Sequence, residues 1–170
     1  MAAGPDFDPK YVRFLVLFNR DRDYYGCHDV MEELWLEEGR GRFWQGLLQV
    51  AVGLHHWGNE NRAGAAKLLR AALAKLDGCA DLEAGIDVKR LREDAAAALR
   101  LLDSWLGEAG AVPHAAEAGP RAGSGADHGS ARRPPEPVTI DIRIVDRRLA
   151  ERVAAEMKRP PGDESRADGE

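Results

Sequence analysis

Between residues 43 and 57 the chain is apolar almost all the way round a helix. Phe43, Trp44, Leu47, Leu48, Val50, Ala51, Leu54 and Trp57, turned by about 100° per residue, cover most of the circumference. Such a helix has little surface to give to water and belongs in the middle of a bundle. Gln45, Gln49 and His56 interrupt it in one stripe, joined by Val52. Gly46 and Gly53 form a narrow strip beside that stripe, where another backbone can come close. His55 falls elsewhere, near Leu48 and Trp44.

The neighbours of this helix are also helical. Asp8-Pro9 reads as an N-cap acid with proline at the first helical position, followed by Tyr11, Phe14, Leu15, Leu17 and Phe18. A second helix runs over 23–36 and stops at "EGRGR", where two glycines break the pattern. A fourth follows "GNEN", with Ala65, Leu68, Leu69, Ala72, Leu73 and Leu76 at helical spacing. A fifth starts at Asp87 and carries Val88, Leu91, Ala95, Leu99, Leu102 and Leu106 on one face. No parallel-sheet pattern lies between these segments. The expectation is an all-α, compact bundle of about five helices over 7–106.

After residue 106 the composition changes. Residues 107–137 are rich in Gly, Ala, Pro and Ser and almost free of large apolar side chains. Such a stretch cannot bury enough surface to offset ordering entropy and reads as a disordered linker. His114 and His128 fall inside it and serve as ligands only if it folds. Residues 138–158 form a tail. Val138, Ile140, Ile142 and Ile144 alternate with polar residues, a strand pattern, and a short amphipathic helix follows. The strand-like part is read as a lone strand or an arm lying on the helices, with addition to a partner's sheet as the rival. Residues 159–170 read as disordered.

The whole-chain totals exclude some functions. With 170 residues the chain has room for one domain with a real core. Its net charge of −5 supplies no basic field for a phosphate backbone, so nucleic acid is not expected as a partner. The longest apolar run, around "GLLQVAVGL", is too short and interrupted to span a bilayer. Cys27 and Cys79 form no CxxC pair, and "MAAGPDFDPK" has no basic-then-apolar leader pattern. The reading is a cytoplasmic protein with no membrane role.

Chemistry concentrates in the second and third helices. Around the second, Cys27, Val30, Met31 and Leu34 form an apolar arc, and Asp29 and Glu33 fall opposite it. His28 and Glu32, four residues apart, share a face on the shoulder of that arc, beside Tyr24, Tyr25 and Trp35. A short loop makes the two helices antiparallel neighbours, so His28 and Glu32 can face Gln49, with Gln45 or His56 nearby. Three uses stay open. The cluster can satisfy itself and serve the fold alone. It can line a small-molecule or catalytic pocket, with His28 as acid or base. Or His28, Glu32 and His56 can bind a divalent transition metal through nitrogen and oxygen. Cys27 points into the apolar arc, away from a Cys-His catalytic arrangement.

Phe18, Asn19, Tyr24, Tyr25, His28, Asp29, Glu32, Trp35, Gln45, Gly46, Gln49, His55 or His56, Gly58, Asn59, Gly64 and Ala65 fall in an order that resembles the bacterial family called domain of unknown function 309. "GIDV" at 85–88 resembles the start of that family's last helix. The likeness runs over 7–106. It implies a small all-helical bundle, a bacterial source, and that His28, Glu32, Trp35, Gln45 and Gln49 act together. One departure is Asp29, where the family pattern favours glutamate.

Two functional readings follow. The first is a binding or interaction module for a small molecule or protein, with a groove walled by Trp35 and Tyr25 and anchored by His28, Glu32, Gln45 and Gln49. The second is a metal-dependent hydrolase-type enzyme with His28, Glu32 and His56 as ligands and an open coordination position. The apolar third helix also admits a homodimer.

Overall fold

A computed structural model describes residues 7–110 and 133–160. Of the stretches expected to be disordered, 107–137 and 159–170, residues 111–132 and 161–170, with His114 and His128, lie outside the described residues; residues 107–110 are helical, and 133–137 are described as part of an extended segment.

Most helices start where the sequence supplies a side-chain cap; the third opens on Gly41 without one. Helix α1, Pro9–Val16, opens on Asp8, whose carboxylate accepts from Lys10 N. It runs into a π-helical turn, Leu17–Asp21, closed by Arg22 in the left-handed region at φ 54°. Helix α2, Tyr24–Glu37, is capped by Asp23, and α4, Arg62–Leu76, by Asn61. Between them lies α3, Arg42–Gly58. Two short strands follow, β1 (Leu82–Glu83) and β2 (Ile86–Asp87), paired antiparallel. Helix α5, Val88–Gly110, begins at once, with Asp87 accepting from Arg90 N at 2.9 Å. Helix α6, Arg147–Met157, is capped by Asp146. The fold is all-α, as the periodicity predicts; the two-stranded hairpin is an addition to that expectation.

The apolar third helix does sit between others. Helix α3 packs against α2 on one side and α4 on the other. Gly46 and Gly53 face α4: an added Cβ at Gly46 would lie 2.7 Å from Leu76 Cδ2, and one at Gly53 would lie 3.2 Å from Leu69 Cγ. The bare strip is thus what lets α4 approach. Helix α5 covers α4, and α1 packs between α2 and α6.

The alternating segment after residue 137 becomes an extended arm lying on the helices. Its one ladder contact is an antiparallel bridge between Ile144 and Ile86 of β2. Ile140, Ile142, Leu149 and Val153 are buried in the same core as Phe14, Leu54 and Leu102. Among the described residues no helix is long and apolar enough to cross a membrane.

Candidate functional site

Helices α2 and α3 run antiparallel and meet along a seam. At one end the seam opens into a concavity of about 210 Å³, lined by Tyr24, Tyr25 and His28, with Asp29 at its rim, and by Val52 and His55 from α3. The Tyr25 and His55 rings lie 5.7 Å apart between centroids. Tyr25 is 64% exposed, an unusual figure for a large ring in a bundle. His28 keeps 43% of its side chain open to solvent.

The imidazole of His28 stands between two carboxylates. Its Nδ1 lies 3.4 Å from Asp29 Oδ1, and its Nε2 lies 3.8 Å from Glu32 Oε2, one helical turn on. Neither contact is tight, so the ring is oriented without being locked. Asp29 and Glu32 make the surface beside His28 acidic, while Glu33 and Glu37 pair with Lys10 of α1. The mouth of the concavity is therefore negative and aromatic.

The two histidines of α3 part company. Asn59 Nδ2 lies 3.1 Å from His55 Nε2, and Asn61 Nδ2 lies 3.1 Å from His56 Nδ1. Asn61 Oδ1 is already committed as the α4 cap, accepting from Gly64 N at 3.0 Å. Its amide nitrogen must then donate, which makes His56 Nδ1 the acceptor. His56 is tied to the start of α4, and His55 faces the concavity.

This corrects the expectation from helical angles, which paired His28 with His56 and set His55 elsewhere. Among the described residues no three His, Cys, Asp or Glu side chains could hold a metal ion together. His28, Glu32 and His56 are thus not brought together as a ligand set. Each imidazole faces its own asparagine, Asn59 for His55 and Asn61 for His56.

The remaining predicted residues lie further along the seam. Trp35 is two turns beyond His28, about 10 Å along the helix, and does not line the concavity. It is half-buried, with the Arg40 guanidinium 5.7 Å above its ring. Gln45 and Gln49 are half-buried on α3. Trp35 Nε1 and Gln49 Oε1 are buried without a hydrogen-bond partner among the described residues. One is a donor and the other an acceptor, and such atoms are rare in a settled core. Cys27 is fully buried, with Sγ 3.8 Å from Phe14 O. Burial, aided by the charges of Asp23 and Asp21, pushes its thiol far up, so no thiolate is on hand for catalysis.

Sequence reading missed Val52 and His55 as lining residues, while Tyr24 lies beside His28 as read. The signal was present in the antiparallel register. Once Tyr25 is set opposite His55, His28 must lie opposite Val52.

Comparison with known proteins agrees with this helical frame. Residues 11–68 match the family described as Domain of unknown function (DUF309). That stretch of the chain is thus similar to DUF309 domains. It is 39% identical over 88 residues to "Uncharacterized protein YpuF" of Bacillus subtilis (strain 168), which takes in 49% of this chain and 51% of that protein. It is 29% identical over 73 residues to an "Uncharacterized protein" of Aquifex aeolicus (strain VF5), covering 41% of this chain and 22% of that protein. The match thus spans about half of the first relative's length and about a fifth of the second's. No solved structure matches. The matched residues 11–68 contain the whole α2–α3 seam, so this site lies within the family domain.

Proposed function

We propose that this DUF309 domain is an interaction module that takes a cationic side chain of a protein partner into the concavity between α2 and α3. The carrying observation is the concavity itself: two tyrosine rings, two histidines from facing helices and a carboxylate rim around about 210 Å³. Pockets for whole small-molecule ligands usually run from about 300 to 1,000 Å³. This one suits a single side-chain head. Exposed tyrosine faces attract cations through the ring quadrupole. Asp29 and Glu32, which flank His28, add the opposite charge. A guanidinium can stack on a ring and still donate to a carboxylate, which an ammonium does less well. Arginine is therefore the preferred head.

The test uses N-acetyl-arginine amide as probe and N-acetyl-norleucine amide as its neutral match. Ring-proton NMR signals of His28 and His55 are followed during titration of the full chain. Saturable shifts of both rings with the arginine probe are expected. They should weaken on Glu32→Gln and vanish on Tyr25→Ala. Equal movement with the norleucine probe, or none with either, overturns the proposal.

A further inference from the structure

The arm that follows residue 133 is gripped through its main chain. Asn19, in the π turn, donates from Nδ2 to Ile142 O at 2.9 Å and accepts from Ile142 N at Oδ1, also at 2.9 Å. Arg22 donates to Ile140 O at 2.6 Å and pairs with Asp141. Trp57 Nε1 donates to Pro135 O at 3.0 Å. On the other flank Asp87 N donates to Arg143 O at 2.9 Å and Val145 N to Gly85 O at 2.8 Å. Between these bonds Ile140 and Ile142 are each 2% exposed, while Asp141 and Arg143 face outward.

Main-chain bonds along both flanks, with sockets for every second side chain, are the components of peptide recognition by strand addition. The recognising side chains Asn19, Arg22 and Trp57 all lie inside residues 11–68, the stretch that matches the family, and the arm lies outside it. A groove of about 490 Å³ also runs beside the arm, between Arg90, Asp94 and Leu101 of α5 and Thr139, Asp141 and Arg143. Residues 111–132 separate α5 from the arm in sequence. A stretch of that length can span up to about 70 Å when extended. Connectivity alone does not fix the arm where it lies; its contacts do.

We infer that the π turn, β2 and the adjoining face of α5 form a peptide-acceptor site. It fits an extended segment with two branched apolar residues two apart and an acid between them. Residues 133–160 of this same chain are its resident, separable ligand. The site is independent of the α2–α3 concavity.

The test uses the full chain with a site-specific protease sequence inserted between residues 115 and 128. After cutting, the two pieces should co-elute with helical circular dichroism unchanged. A fluorescent peptide of residues 133–160, in excess, should then replace the cut piece, with saturable anisotropy. The same peptide N-methylated at the Ile142 amide lacks the hydrogen that Asn19 accepts. It should bind about tenfold more weakly, the scale of one charge-free hydrogen bond plus the orphaned acceptor. That comparison leaves the bundle's own sequence untouched, so folding cannot confuse it. Collapse of the helical signal on cutting, or a folded cut protein that never exchanges its arm, would make the arm an inseparable part of the core and overturn the inference. Equal affinity of the N-methylated peptide would overturn the role given to Asn19.

Discussion

The Asn19 side chain closes a two-bond ring with the backbone of Ile142, its amide nitrogen and oxygen each 2.9 Å from the Ile142 oxygen and nitrogen. An asparagine amide has the same donor and acceptor spacing as a peptide unit, so one side chain takes the place of a neighbouring strand. The π turn puts it there. The wider Leu17–Asp21 turn, ended by left-handed Arg22, carries both Asn19 and Arg22 toward the arm. Removal of the amide leaves both Ile142 groups part-buried and unpaired. Asn19→Ala should therefore cost about 2–3 kcal/mol, or about 5–10 °C in melting temperature for a chain of this size. Asn19→Asp should cost a similar amount, since the donor is lost and an oxygen is set against Ile142 O. A urea titration of the three proteins measures it. Asn19→Ala within 0.5 kcal/mol of the parent would mean that water replaces the amide at no loss.

The contact between α3 and α4 gives a graded prediction. Gly→Ala in a helix interior gains about 1 kcal/mol of propensity. At Gly53 the new Cβ would stand 3.2 Å from Leu69 Cγ, a squeeze that a small shift relieves, so Gly53→Ala should change stability by under about 1 kcal/mol. At Gly46 the Cβ would stand 2.7 Å from Leu76 Cδ2 and 2.8 Å from its Cγ. Leu76 is fully buried and cannot swing away. Gly46→Ala should lose about 1–3 kcal/mol net. Thermal melts of the two variants give the order directly, and a reversed order would contradict the packing described.

These elements also show how far the sequence could be read. The bare strip at Gly46 and Gly53 was visible because a run of bulky residues made two glycines on one side conspicuous. The helices were visible through their spacing and through Asp8, Asp23 and Asp87 at their starts. The β1–β2 hairpin was not, since strands of two residues hold no alternation to detect. The choice between His55 and His56 was not either. A helix apolar on nearly every side has no single inward direction, so its roll is set by what packs on it, here α4 against Gly46 and Gly53. The arm's alternation was plain at Ile140 and Ile142. Its acceptor, Asn19, lies more than a hundred residues earlier, and spacing along the chain cannot reveal such a pairing.

Two buried acidic groups set an alkaline limit on stability. Cys27 is raised well above its ordinary 9.0, chiefly by burial and then by Asp23 and Asp21. Tyr11 is raised above its ordinary 10.0, chiefly by burial and then by Glu83; its hydroxyl donates to Ala84 O at 2.8 Å. Both stay protonated in the fold where the unfolded chain ionises. The unfolded state then binds fewer protons, and stability falls as pH rises. Their contribution is complete below pH 9. It is lost upward from there, at about 1.4 kcal/mol per pH unit for each group titrating only in the unfolded chain. Cys27→Ala should flatten the part of the fall that begins near pH 9. Urea midpoints between pH 7 and 10.5 for parent and variant test the sign, and parallel profiles would count against a buried neutral thiol.

The last prediction concerns Gln49, whose Oε1 is buried beside the α2–α3 seam with no partner among the described residues. An orphaned amide oxygen costs about 1–3 kcal/mol relative to a satisfied one. Methionine has a similar length and no branch, and it leaves no acceptor to satisfy. Gln49→Met should therefore raise stability by about 0.5–2 kcal/mol. It should also weaken any ligand that reaches past the concavity toward Trp35, whose Nε1 is orphaned in the same way. Stability is read by urea titration, and binding by the arginine-probe titration extended to arginine-bearing dipeptides. A less stable Gln49→Met protein would show that the amide is paired in solution, most simply through water or through Trp35 itself. A more stable protein that no longer binds the longer probes would place the seam's polar atoms in the binding surface, with their burial a standing cost to the fold.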